Sequence, residues 1–172
     1  MTEVAFAPAW QHGRGPLAIL PGLLFRSDRP YLTIALAWLL SIGGSMALGA
    51  AIALIVPEAE APELGNNIAV VLIGVVVLSP LIESLIMGGV IDLLLRWLRP
   101  WQAVLASAAA WGGVHSLMAA TWGLVIWWPF LIFSTIFVTW RPRGFWIAML
   151  MAATVHALQN LFPAIAIVLG FE

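Results

Sequence analysis

Long apolar runs, broken at intervals by arginine, constrain this chain more than any other feature of its sequence. A helix needs about 20 mainly apolar residues to cross the roughly 30 Å hydrocarbon core of a bilayer, because it rises about 1.5 Å per residue. Five segments meet that length: Tyr31 to Val56, Asn67 to Leu95, Trp101 to Ala119, Trp122 to Trp140 and Gly144 to Leu169. Only 9% of the residues are charged and 63% are hydrophobic, whereas about a quarter are charged in an ordinary soluble domain. The expected fold is all-α, a polytopic membrane helix bundle of about five transmembrane helices. The same composition excludes a disordered chain, and the absence of cysteine excludes a disulfide scaffold. A net charge of −1 offers no basic surface for nucleic acid, so the partner that composition demands is the lipid bilayer.

Arginine placement orients the spans, since cytoplasmic loops are enriched in basic residues. Arg14, Arg26 and Arg29 precede the first span, Arg96 and Arg99 separate the second from the third, and Arg141 and Arg143 separate the fourth from the fifth. All 7 basic residues thus share one side, while Glu58, Glu60, Glu63 and Glu172 share the other. The expectation is a cytoplasmic N-terminus. Trp97, Trp101, Trp140 and Trp146 flank the arginines, where amphipathic indoles anchor at a membrane boundary, and Trp111, Trp127 and Trp128 lie deeper. The exclusive use of arginine, with abundant Ala and Gly, fits a GC-rich bacterial genome and hence a bacterial cytoplasmic membrane. Residues 1–30 read as a separate cytoplasmic or interfacial segment, because Pro8, Gly13, Gly15, Pro16, Pro21 and Pro30 interrupt any long helix and Leu17 to Phe25 is too short to span. No signal peptide is expected: no basic stretch precedes the first apolar run and no small-residue cleavage site closes one. Residues 31–172 read as the transmembrane domain.

Ionisable side chains inside spans are costly unless they pair or face water. Four occur here: Glu83, Asp92, His115 and His156. Asp92 is four residues before Arg96, the acid-first spacing of a helical ion pair, and is expected to be structural. Glu83 stands thirteen residues from Arg96, His115 fourteen from Trp101 and His156 thirteen from Arg143, each about 20 Å along its helix. Since the second span runs opposite to the third and fifth, the three groups are expected at one level near the midplane. Pro80, three residues before Glu83, removes an amide donor and should free the carbonyl of Val76. Asn160 follows His156 at i,i+4 and shares its helix face.

A carboxylate beside an imidazole in a dry site can act as a general base on water. In that reading Glu83 and His115 activate water, and His156 with Asn160 donates to the oxyanion of a tetrahedral intermediate. The reaction that such a site would be expected to perform is hydrolysis of an amide, with no cofactor. Ser79, Ser84, Ser107 and Ser116 lack a nucleophile motif, Ser116 pointing about 100° away from His115. A zinc site held by Glu83, His115 and His156 stands beside this reading, although no H-E-x-x-H is present. A transporter is a further alternative for a midplane polar cluster, though the chain carries no inverted repeat.

The segments Ser79-Pro80-Leu81-Ile82-Glu83-Ser84, Trp111-Gly112-Gly113-Val114-His115 and His156-Ala157-Leu158-Gln159-Asn160 together resemble the CaaX protease and bacteriocin-processing family of intramembrane proteases, which includes the type II CaaX prenyl endopeptidase. The similar region is roughly 76–163. The resemblance implies that Glu83 and His115 activate water and that His156 and Asn160 hold the oxyanion. The family's second glutamate is Ser84 here and its arginine is Gly88. Losing both members of an i,i+4 ion pair leaves no unpaired buried charge. Two expectations follow from that departure: an enzyme that works with Glu83 alone, or a non-catalytic relative serving as a membrane scaffold, assembly or immunity subunit with a membrane protein partner. Gly88-Gly89 and Gly112-Gly113 permit close helix contact in either case.

Overall fold

Proline opens two of the helices, at Pro30 and Pro100, because the first turn of a helix has no acceptor for an amide hydrogen and the fixed φ of proline already suits it. The computed structural model describes residues 8–59 and 67–168 of the 172-residue chain. Three short 3-10 turns, Pro8–Trp10, Gly15–Ile19 and Gly22–Phe25, lead into α1, Pro30–Ile55. Then come α2, Ile68–Val71, a π-helical segment, Leu72–Leu78, and α3, Ser79–Leu94. The remaining helices are α4, Pro100–Ser116, α5, Trp122–Trp140, and α6, Phe145–Val168, with a 3-10 turn Arg141–Arg143 before α6. No strand occurs among the described residues. Glu60, Glu63 and Glu172, the outer acids of the sequence analysis, lie outside them, as does Leu169 at the end of the fifth span.

Four segments are long and apolar enough to cross a membrane: Pro30–Ile55, Leu72–Leu94, Trp122–Arg143 and Phe145–Ala166. The fold is a polytopic all-α bundle. The third expected span is shorter than anticipated: α4 has 17 residues, about 25 Å of helix, and ends at Ser116 rather than Ala119.

The core sits on α5, which is buried on every side from Pro129 to Trp140. The other helices bury one stripe and turn apolar side chains outward, as a lipid-facing surface requires; Leu39, Met46, Leu54 and Leu150 are all exposed. On α1 the buried stripe is Thr33, Ala37, Ser41 and Ser45, small residues that recur every fourth position and let neighbouring helices approach. Indoles lock the bundle through backbone carbonyls. Trp128 Nε1 donates to Leu40 O at 2.8 Å and Trp38 Nε1 donates to Leu158 O at 3.1 Å. Gly44 admits the Trp128 ring, which would collide with any Cβ there.

The described N-terminal turns pack against the bundle. Leu24 and Phe25 are fully buried, and Trp10, Leu17 and Leu20 join the same core. Trp10 Nε1 donates to Thr139 Oγ1 at 3.0 Å, and that hydroxyl donates to Leu24 O at 2.8 Å. The Arg14 guanidinium lies 4.2 Å from the centre of the Phe25 ring. Gly15, at φ +52°, faces Trp101 so closely that a Cβ would stand 2.7 Å from the indole. A run too short to span finds its burial against the end of α5 instead.

Asp92 also departs from expectation. Its carboxylate takes a bidentate hydrogen bond from Arg141 at 2.7 and 2.8 Å, whereas Arg96 is exposed. The fork of a guanidinium in the turn after α5 holds two acceptor oxygens in one plane, which a flexible neighbour one turn away does not improve on. Thr139→Val should remove both bonds of the N-terminal turns, at a cost of about 1–3 kcal/mol. Residues 8–26 should become susceptible to limited proteolysis while the helical circular dichroism stays unchanged.

Candidate functional site

Ser79 and Glu83 share a face of α3 one turn apart, and the Ser79 hydroxyl donates to Glu83 Oε1. The other oxygen, Oε2, is buried without a protein hydrogen-bond partner and faces His115 Nε2 at 3.9 Å. His115 ends α4, and its Nδ1 lies 2.8 Å from the carbonyl oxygen of Trp111, one turn back. A carbonyl only accepts, so Nδ1 carries the hydrogen, and in the neutral ring Nε2 presents a lone pair. Two acceptors therefore face each other across a gap too long for a direct hydrogen bond.

Aromatic rings wall this pair. Trp122 meets the His115 ring edge-on at 4.8 Å, and Phe130 lies at 5.4 Å. Phe130, from α5, stacks on Trp111 at 4.5 Å and touches His156 at 5.3 Å, so one ring contacts both imidazoles. His156 is buried, stacks on Phe133 at 4.6 Å, and has an Nδ1 with no protein partner. Asn160, one turn further along α6, donates from Nδ2 to the carbonyl of Val75 in the π-helical segment at 2.9 Å.

The structure thus brings Glu83 and His115 together, sets His156 beside the same Phe130 ring, and ties Asn160 to backbone. Among the described residues no three His, Cys, Asp or Glu side chains form a group able to hold a metal ion, so Glu83, His115 and His156 are not gathered as ligands. The freed carbonyl expected at Val76 is met one residue earlier, at Val75, because the helix before Pro80 follows the wider π register.

Several residues of the site were not singled out from sequence. Ser79 lies four residues before Glu83, a spacing that a search for one-turn partners would find. The Trp111 and Val75 acceptors are backbone atoms, which carry no residue signature. Phe130 and Trp122 are two aromatics among many on a chain that is 11% aromatic.

The surroundings of positions 84 and 88 are closed. Ser84 is fully buried with no partner for its hydroxyl, and a Cβ at Gly88 would stand 2.6 Å from a ring carbon of Phe137. Phe137 of α5 fills the space beside Gly88. No family model matches the chain, and neither a curated protein nor a solved structure matches it. Gly88→Ala should destabilise the bundle by about 1–3 kcal/mol through overpacking. Adding Phe137→Leu should return part of that loss, as read by thermal unfolding in detergent.

Proposed function

We propose that this chain is an intramembrane endopeptidase of the CaaX protease type, set in a bacterial cytoplasmic membrane with its N-terminus inside. Its substrate class is a membrane-associated peptide or protein. The observation that carries the reading is the facing pair of acceptors, Glu83 Oε2 and His115 Nε2, at 3.9 Å. A water placed about 2.8 Å from each would donate one hydrogen to each and subtend roughly a right angle at its oxygen. Its lone pairs then point away from both bases.

As the water oxygen forms a bond to the scissile carbonyl carbon, one of its protons passes to the Glu83–His115 pair and the carbonyl electrons move to oxygen. The tetrahedral intermediate collapses when that proton reaches the departing nitrogen and the C–N bond breaks, leaving a carboxylic acid and an amine, and the acid then gives its proton to the amine to yield a carboxylate and an ammonium. Ser79 holds Glu83 and the Trp111 carbonyl holds His115, each from one turn back, so both bases are oriented before substrate arrives. His156 is the proposed oxyanion donor. The chemistry calls on no metal.

A second reading has its own support. Ser84 and Gly88 replace an ion pair, and the Asn160 amide is engaged with Val75. Both favour a non-catalytic relative that scaffolds, assembles or protects a membrane protein partner.

Purified protein in liposomes with a pool of membrane-associated peptides separates the two. Hydrolysis, detected as new peptide termini by mass spectrometry, should fall by about 10²–10⁴ in both Glu83→Gln and His115→Ala, with the helices intact. Undiminished cleavage in Glu83→Gln would sink the mechanism. Co-purification of one fixed partner, unaffected by both substitutions, is the result the scaffold requires.

A further inference from the structure

In a π-helix the amide of residue i bonds the carbonyl of residue i−5, so the amide due to reach Val75 O is that of position 80. Position 80 is proline and has no amide hydrogen. A carbonyl with no donor is costly in a bilayer, where water is absent. Asn160 Nδ2 bonds this same carbonyl at 2.9 Å. From the opposite helix, we infer that Asn160 supplies the hydrogen bond that Pro80 withholds, and that it is thereby a positioning residue for Glu83 rather than a group that touches substrate.

The surroundings point the same way. No residue of Leu72–Leu78 is buried, so none of them is anchored in the core. Three consecutive residues of α6 make cross-helix ties instead. Leu158 O accepts from Trp38, Gln159 Nε2 donates to Ser45 Oγ at 3.3 Å, and Asn160 donates to Val75 O. The first two bind α1 and the third binds the π-helical segment. That segment ends at Leu78, and the next residue, Ser79, holds Glu83 Oε1. Release of Val75 would free the helix at the turn from which Glu83 is aimed at His115.

The role in catalysis rests on the hydrolytic reading above; the bond to Val75 does not. The test is a double substitution in the full chain in lipid nanodiscs. Asn160→Ala should raise hydrogen exchange of the amides at 72–79 about tenfold or more, the range expected for one lost bond, and should lower cleavage. Pro80→Ala with Asn160→Ala restores a backbone donor at position 80, and should return both exchange and cleavage towards wild type. If Asn160→Ala alone does not fold but the double variant does, the same conclusion follows. Unchanged exchange in Asn160→Ala overturns the assignment. Exchange rescued without rescue of cleavage overturns the positioning role and returns Asn160 to the substrate. A wild type that cleaves no peptide defeats the hydrolytic reading, and the exchange results still decide whether Asn160 serves Val75.

Discussion

A backbone carbonyl inside a bilayer must find its donor within the protein, and the Val75 carbonyl finds one in the Asn160 side chain of α6. Proline at position 80 denies it the donor of its own helix. The helix before the proline runs in π register over Leu72–Leu78, and a side chain from α6 closes the bond. That bond ties α6 to the segment leading into α3, and Ser79 and Glu83 follow just beyond the irregularity. A regular helix through the same residues would need no partner at Asn160 and would leave α3 without this tie to α6.

Around that junction aromatic side chains of α5 wall the polar pair. α5 is buried on all sides from Pro129 to Trp140 and supplies Phe130, Phe133 and Phe137 to three different neighbours. Phe130 touches both imidazoles, Phe133 stacks on His156, and Phe137 lies against Gly88. Low polarity at these walls strengthens any charge that develops between Glu83 and His115, because little solvent remains to screen it. Local contacts offset part of the cost of keeping polar groups in such a place, with Ser79 on the carboxylate and the Trp111 carbonyl on the imidazole. Polar groups that serve packing lie elsewhere: Ser134 donates to Ser107 at 3.0 Å, and Asp92 holds Arg141 near the membrane boundary.

The helical bundle was legible because apolar length and arginine punctuation are one-dimensional properties. Counting residues from the arginine-flanked ends placed Glu83 and His115 at one depth, and the two meet. Partners that lie across helices were less legible. Arg96 is the local choice for Asp92, yet Arg141, 49 positions away, makes the bidentate bond. Asn160 stood out by its spacing from His156, but its acceptor is a backbone atom, and the π register that exposes that acceptor has no residue signature. The short 3-10 turns that bury Leu24 and Phe25 were hidden for a similar reason. Their apolar residues follow neither helical nor strand periodicity, so only the packed structure reveals which of them face inward.

The arrangement stands or falls on the direction in which the His115 ring is held. Nitrogen-15 spectra of histidine-labelled protein in nanodiscs, with His115 assigned by substitution, report which ring nitrogen carries the hydrogen. The geometry requires a proton on Nδ1, bonded to the Trp111 carbonyl, and a bare Nε2 whose resonance moves when Glu83 becomes glutamine. A proton on Nε2 in the neutral ring, or an Nε2 resonance indifferent to Glu83→Gln, would contradict it.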